Sequence, residues 1–334
     1  MASTQEFRRR IKSVNSTSQI TKAMEMVASV KMQKAQKAIF AARSYVQNSW
    51  NLLVVLKKLR SETDQPLAGT SSKDHPLLAV PDKVDKTCVI LITSDRGLCG
   101  SFNADVIRKV TSFLGSHLEA GHTAEGSQQS EILRRTAPQD DKALGQIDFI
   151  TIGKKATDFA KRSQKGELVA EFPGFDNEVA YNDTTSISKI AIDDFLTEKY
   201  QKILVIYSHF ESSLRQIPVV KQVLPITENH IDNPEVWEAE PSENDQKDIA
   251  EYKFEPSADA VLTRLIPQFI RLQVYGAILE SNSSEHSARM VAMKNATDNA
   301  KELIDDLTLT YNTVRQNSIT SEIAEITAGS EAMR

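Results

Sequence analysis

The segment whose residue types best suit chemistry is a glycine-bearing turn, which reads TSDRGLCGSFN at residues 93–103. It follows an apolar run and precedes a helical pattern, and the backbone N–H groups of such a strand–turn–helix junction can bind a phosphate. However, Gly97 and Gly100 do not fit the G-x-G-x-x-G spacing, no G-K-[ST] follows them, and no acidic residue ends the second predicted strand to hold a ribose. The alternative is that Asp95, Arg96 and the glycines form a specific tight turn that a partner contacts, and the sequence favours this alternative.

The other candidates for catalysis or metal binding do not assemble into a site. The six histidines lack the spacing of metal ligands, and Cys99 has no obvious general base. Ser284, Glu285 and His286 are adjacent on a predicted helix, where neighbouring side chains point in different directions, so they cannot form a catalytic relay. The sequence therefore predicts no catalytic residue, no metal site and no cofactor.

The charge of the chain is distributed unevenly. Residues 1–60 contain twelve Lys and Arg but only Glu6 and Glu25, so this segment carries a charge of +10, whereas the other 274 residues carry −15. A basic helix can bind nucleic acid, but this one lacks interleaved aromatic side chains and its charges spread around the helix. We therefore expect no nucleic-acid partner.

No apolar run approaches the roughly 18 residues that a membrane-spanning helix requires. The amino-terminal sequence MASTQEFRRRIKSV lacks the apolar segment of a secretory signal and leads directly into a helical pattern. The sequence therefore predicts a chain that lies on a cytosolic face and does not cross a bilayer.

Two long helices are predicted at the ends of the chain. Residues 1–60 contain neither glycine nor proline, and their apolar and small residues recur every seven positions, which is the period of a left-handed supercoil. The same repeat runs from residue 257 towards the end of the chain. About fifty residues with a rise of 1.5 Å span roughly 75 Å, more than twice the diameter of a small domain, so the first helix needs a second helix as its partner.

An antiparallel pairing in which the numbers of facing residues sum to about 318 places small side chains opposite large ones. The residues that this register predicts at the coiled-coil interface are Ile11, Val14, Ala28, Ala42, Gly276, Met290, Ile304 and Leu307. The last seventeen residues or so then extend beyond the pair as one helix, which is marginal in water and should be covered by other protein.

Between the two helices, short apolar runs alternate with helical patterns, and helices are predicted at residues 103–114, 154–163 and 184–200. This alternation predicts a small, mostly parallel, Rossmann-like α/β sheet, with residues 216–226 as an edge strand because they contain two prolines. The predicted fold is thus α/β with a long antiparallel coiled coil. The predicted segments are a first coiled-coil helix at 1–60, a linker at 61–86, an α/β domain at 87–226 with an insertion at 115–146, an acidic loop at 227–256, and a second coiled-coil helix at 257–334.

Three segments of the chain resemble one known family. They are IKSVNSTSQITKAMEMVASVKMQKA near the start, SDRGLCGSFN in the middle, and ESNSSEHSARMVAMKNATDNAKELIDDLTLTYNTVRQNSITSEIAEI at the end. In this order they closely resemble the gamma subunits of F-type ATP synthases. The resemblance implies a central rotor shaft, which couples ion flow through a membrane ring to ATP synthesis or hydrolysis in the beta subunits and is itself not catalytic.

The resemblance also implies roles for individual residues. Asp95, Arg96, Gly97 and Gly100 match the family turn, although Ser101 stands where a further glycine is common. The residues that match family positions in contact with the ring of alpha and beta subunits are Met24, Arg315, Gln316, Thr320, Glu322 and Glu325.

The partners that the resemblance implies are the alpha and beta subunits, the epsilon subunit and the membrane c-ring, with no direct small-molecule substrate. The implied location is peripheral, on the cytoplasmic face of the bacterial inner membrane rather than in an organelle. The alternative function is a free-standing α/β nucleotide-binding enzyme with a coiled-coil stalk.

Overall fold

The computed structural model describes residues 4–63, 75–79, 81, 83–120, 145–163, 166–175, 179–226, 255 and 258–333. Most of the predicted insertion at 115–146 and nearly all of the predicted acidic loop at 227–256 lie outside the described residues. The architecture is an α/β domain from which two paired helices project. This is the predicted fold class, and the structure confirms it.

The two terminal helices are long and antiparallel. Helix α1 spans Thr4–Thr63, which is 60 residues or about 90 Å, and the carboxy-terminal helix, α5, spans Ala258–Ala332. The hydroxyls of Thr21 and Thr297 lie 2.8 Å apart across the interface, and their numbers sum to 318, as in the predicted register. Nearer the free end, the Arg8 guanidinium donates to the Tyr311 hydroxyl at 3.0 Å.

The residues predicted at the interface differ in how deeply they are buried. Ala28 and Gly276 are buried, whereas the other six predicted interface residues are half-buried. A two-helix rod leaves the edges of its contact surface in water, so partial burial is expected where no third element covers it. The half-buried members are Ile11, Val14, Ala42, Met290, Ile304 and Leu307.

The pairing can be tested by crosslinking. We expect the double variant Thr21→Cys/Thr297→Cys to form a disulfide readily under mild oxidation, because the two hydroxyl oxygens already lie 2.8 Å apart. The measurement is the mobility of the oxidised chain on a non-reducing gel. The matched control is Thr21→Cys/Ile304→Cys, in which the second cysteine lies about 10 Å further along the helix. Equal crosslinking of the control would contradict this register.

Five strands form the sheet between the helices. Three of them, β1 (Lys86–Ile92), β2 (Gln146–Ile152) and β3 (Leu168–Phe172), are parallel, and β4 (Lys202–Phe210) pairs in parallel with β1. The strand order is β3-β2-β1-β4-β5. Strand β5 (Gln216–Leu224) is the antiparallel edge strand, as the sequence predicts.

Helices, α5 among them, cover the two faces of the sheet. Helices α2 (Phe102–Ala120) and α3 (Lys154–Ser163) pack on one face against strand residues such as Val89 and Ile206. A short 3-10 turn, helix α4 (Thr185–Leu196) and the first half of α5 cover the other face. Helix α5 is therefore part of the domain core at one end and part of the rod at the other.

Two predicted helix ends are wrong. Helix α2 continues to Ala120 instead of ending at Leu114, because one glycine inside a helix costs only about 1 kcal/mol and Gly115 meets no neighbouring atom within 4 Å. The helix predicted to reach Tyr200 ends at Leu196, since Glu198 adopts a left-handed φ of 58° that stops it. In addition, α1 and β1 extend by a few residues into the predicted linker.

Candidate functional site

The turn after β1 is closed by its own side chains. The backbone N–H of Ser94 donates to Oδ1 of Asn103 at 3.1 Å, and the Ser94 hydroxyl donates to the carbonyl of Arg96 at 2.6 Å. Leu98 projects into solvent with a left-handed φ of 62°. Its neighbour Cys99 is buried, and the Nδ2 group of Asn103 donates to its sulfur at 3.2 Å.

The Asp95 carboxylate joins this turn to two other segments of the α/β domain. It accepts hydrogen bonds from the backbone N–H groups of Lys154, at 2.8 Å, and Gly174, at 2.9 Å. Lys154 is the first residue of α3, so the positive end of that helix dipole is already paired with a fixed anion. These bonds give the turn a defined structure, which agrees with the tight-turn interpretation.

Cys99 is not an activated nucleophile. Burial raises the pKa of its thiol, which disfavours the reactive thiolate. Within the part of the chain that the structure describes, no group of three His, Cys, Asp or Glu side chains could hold a metal ion.

The predicted family-turn residues lie against helix α5. The Arg289 guanidinium of α5 points to the carbonyl of Gly97 at 3.5 Å, and a side chain at Gly100 would meet Ala292 of α5 at 3.9 Å. Asp95 and Arg96 are in the same turn, so the structure brings all four predicted turn residues together at the base of the rod.

The predicted ring-contact residues lie farther out and in two places. Met24 is half-buried on α1, near the middle of the rod, opposite residues around 294. Arg315, Gln316, Thr320, Glu322 and Glu325 are exposed on α5. They begin roughly 30 Å further along the rod from Met24, so the structure separates the two sets.

The free end of α5 also carries an apolar stripe that is not among the residues predicted from the sequence. Residues 315–330 are all exposed, and among them are Ile319, Ile323 and Ile326, with 47%, 59% and 73% of their surface in solvent. Their spacing of four and three residues places them on one face of the helix. That spacing is visible in the sequence and could have identified the stripe.

A second overlooked feature is a buried polar stretch of α5, residues 280–289, which we call the junction segment. Its sequence is ESNSSEHSAR, and every member except Ala288 is buried. At its start, Oε2 of Glu280 lies 2.7 Å from Nδ1 of His209 on β4. Polar residues on every side of a helix ordinarily indicate solvent, so burial of this segment requires partners from the α/β domain.

Glu280 also faces two other titratable groups on the sheet. Burial raises the pKa of Tyr207 well above its usual value, and the Glu280 carboxylate beside it adds to this shift. Burial lowers the pKa of Lys221 on β5 to about 8, against an opposing attraction from Glu280. Lys221 is thus a base that folding makes harder to protonate.

Lys221 gives a pH-dependent prediction. Because its pKa falls from 10.5 to about 8 on folding, the unfolded chain binds more protons than the folded chain between these values, so the free energy of unfolding rises with pH across that window. The variant Lys221→Met, which cannot be protonated, should therefore be more stable than the wild type at pH 7 by about 1 kcal/mol. This advantage should disappear as the pH approaches 10.5.

Chemical unfolding at pH 7 and pH 10 checks this prediction. Lys109→Met on the exposed face of α2 is the matched control and should change the free energy of unfolding equally at both pH values. A variant Lys221→Met that is less stable than the wild type at pH 7 would show that the Lys221 ammonium is a net favourable partner of Glu280.

No helix among the residues described is both long enough and apolar enough to span a membrane.

The chain is similar over its whole length to proteins of one kind. A family model described as ATP synthase matches residues 3–333. The ATP synthase gamma chain of Roseiflexus sp. (strain RS-1) is 40% identical over 333 residues, which cover 100% of this chain and 99% of the relative. That of Pelotomaculum thermopropionicum is 39% identical over 335 residues, which cover 100% of both chains.

Solved structures share the fold. A chain in the rotor of the Euglena gracilis mitochondrial ATP synthase, in rotational state 1, matches with a TM-score of 0.56 at 16% identity over 95% of this chain and 98% of that chain. A chain in the OSCP/F1/c-ring structure of the same enzyme, in rotational state 3, matches with a TM-score of 0.57 at 18% identity, covering 99% of this chain and 94% of that chain.

Proposed function

Since this chain belongs to the ATP synthase gamma chain family, we propose that it is the central rotor shaft of an ATP synthase. It couples ion flow through a membrane ring to ATP synthesis or hydrolysis in the beta subunits by rotating inside the ring of alpha and beta subunits. The single observation that supports this most directly is the rod: two antiparallel helices that project from the α/β domain and end in a fully exposed segment of α5.

A rotating shaft must be stiff, and the paired helices meet this need. Two helices joined along a continuous interface resist bending and twisting better than one helix. The paired helices are bonded across the interface by Thr21 and Thr297, and by Arg8 and Tyr311.

A shaft must also present different faces to chemically identical sites. Moving a two-state site from mostly open to mostly closed takes about 5.5 kcal/mol of differential contact energy. The basic helix α1 and the exposed apolar stripe of α5 offer unequal contacts to the surrounding subunits. We assign these contacts to Met24 on α1 and to Arg315, Gln316, Thr320, Glu322 and Glu325 on α5.

In this proposal the α/β domain is the end of the shaft nearest the membrane. It contacts the epsilon subunit and the c-ring, and the chain is held peripherally on the cytoplasmic face of a bacterial inner membrane. The chain performs no chemistry itself.

Reconstitution tests the function. The chain is assembled with its native alpha and beta subunits, the ring is immobilised, and a bead is attached through a cysteine at Glu198, an exposed position of the α/β domain. We expect the bead to rotate in one direction when ATP is added, and we expect the isolated chain to show no ATP turnover. ATP hydrolysis by the isolated chain that is lost in Arg96→Ala would instead favour the nucleotide-binding enzyme.

A further inference from the structure

The junction segment lies where α5 leaves the α/β domain and becomes part of the rod. Torque that passes between the domain and the rod through α5 must cross this point. Helix α5 is apolar on its sheet-facing side before this segment, with buried Ile266, Ile270, Val274 and Ile278. From Glu280 to Arg289 the side chains of α5 contact the α/β domain mainly through hydrogen bonds instead of apolar packing.

One side of the junction segment is bonded to the far end of β4 and to the β4–β5 hairpin. Glu280 contacts His209 at 2.7 Å, and the Ser284 hydroxyl donates to the carbonyl of Ser208 at 2.9 Å. One turn further, the Ser287 hydroxyl donates to the carbonyl of Ser213 at 2.8 Å. At about 100° per residue, positions 280, 284 and 287 lie within roughly 60° of one another around the helix.

The opposite side is bonded to two other loops of the domain. The Asn282 amide donates to the carbonyl of Phe175, after β3, at 2.8 Å, and Arg289 reaches the carbonyl of Gly97, after β1, at 3.5 Å. The Arg289 guanidinium is held in place by Glu285 at 2.6 Å. Positions 282 and 289 lie roughly 180° from the first set around the helix axis.

We propose that the junction segment is the torque-bearing contact between the shaft and the α/β domain, an inference that rests on the proposed rotor function. Rotation of α5 about its own axis relative to the domain would stretch bonds on both sides of the helix at once. Hydrogen bonds resist such a rotation because they weaken steeply with distance and angle. Apolar contacts are not directional and permit one surface to slide on the other. This gives a reason for the segment to be polar although it is buried.

The segment contains a matched control for this proposal. Ser283 lies between Asn282 and Ser284, is fully buried, and has an Oγ with no hydrogen-bond partner among the described residues. Ser283→Ala therefore removes a buried hydroxyl without removing a bond to the domain. Asn282→Ala/Ser284→Ala removes one bond from each side of the helix.

Single-molecule measurement on the assembled complex tests the proposal. The ring is immobilised, a bead is attached at Glu198, and the angular fluctuation of the bead is recorded while the motor is paused. Asn282→Ala/Ser284→Ala removes two of the five bonds that join the junction segment to the domain. If these five bonds share the restraint equally, the part of the angular variance that arises at the junction should rise roughly 1.7-fold. Ser283→Ala should leave the variance unchanged.

The outcomes distinguish a failure of the rotor function from a failure of the proposed role of the junction segment. If the wild-type complex does not rotate, the rotor function itself is wrong. If the wild type rotates but the double variant has the same variance as the wild type, or if Ser283→Ala raises it equally, the junction segment is not the torque-bearing contact. The milder variant Ser287→Ala, which loses only the bond to the hairpin, should raise the variance by a smaller amount. If the double variant fails to assemble, an unchanged variance in Ser287→Ala overturns the proposal by itself.

Discussion

Gly153→Ala is expected to destabilise the α/β domain by about 3 to 5 kcal/mol, enough to prevent the folded chain from accumulating. Gly153 joins β2 to α3 with a φ of 92°, a conformation that side chains rarely adopt. A Cβ there would lie 2.2 Å from the carbonyl oxygen of Thr93, so the end of β1 and the start of α3 would have to separate. Thermal unfolding and the soluble yield of the variant are the measurements.

Two other glycines provide graded controls. Gly100→Ala should cost only about 1 kcal/mol, because its φ of 58° is strained for a side chain but the nearest atom, in Ala292, is 3.9 Å away. Gly97→Ala should change the free energy of unfolding by less than about 0.5 kcal/mol, since no atom lies within 4 Å of the new Cβ. If all three variants lower the free energy of unfolding equally, the backbone geometry at Gly153 does not explain the loss of stability in Gly153→Ala.

The expected losses of stability at these three glycines do not follow from the turn motif in the sequence. The sequence drew attention to Gly97 and Gly100 because they stand in a recognisable turn after an apolar run. Gly153 ends an equally apolar run but stands alone, and its importance comes from the close approach of Thr93, sixty residues earlier in the chain. The spacing of neighbouring residues in the sequence does not reveal contacts between distant parts of the chain.

The rod was predictable because its signal is long and periodic. A seven-residue repeat that continues for most of sixty residues has few alternative interpretations, and the lengths of the two helices limit the possible register. The strands were predictable for a similar reason: each is a short apolar run bounded by turn residues, and a strand buried on both faces has no alternation to misread. The edge position of β5 followed from the prolines at residues 218 and 225.

The junction segment was not predictable, because its polar composition is also that of a solvated helix surface. The directions of adjacent side chains on a helix argue against a relay of Ser284, Glu285 and His286, but the sequence offered no reason to expect them to be buried. Their burial comes from β4 extending to Phe210, beyond the end of β1, and from loops that close on the other side of α5. Only the sheet order brings these elements together.

The other large effect is expected at the free end of α5. The triple variant Ile319→Asn/Ile323→Asn/Ile326→Asn removes the exposed apolar stripe. These side chains stabilise the isolated chain little, because 47% to 73% of their surface is in water. If the ring of alpha and beta subunits covers the stripe, the loss should be about 1 kcal/mol per residue, or about 3 kcal/mol in total. The affinity of the chain for the ring should then fall about 100-fold.

A matched variant separates burial from helix stability. Ser321→Asn/Ala324→Asn/Ala328→Asn places the same new side chains on the opposite face of the same exposed segment, where they weaken the isolated helix at least as much. Titration of each variant into the immobilised ring gives the affinities, and thermal unfolding of the isolated chains should give the same midpoint for both. An equal loss of affinity in the two variants would mean that the loss comes from lower helix propensity and not from removal of the apolar stripe. Unchanged affinity in the isoleucine variant would mean that the end of α5 remains in water in the assembled complex, because covering three isoleucines without any gain in affinity is not physically reasonable.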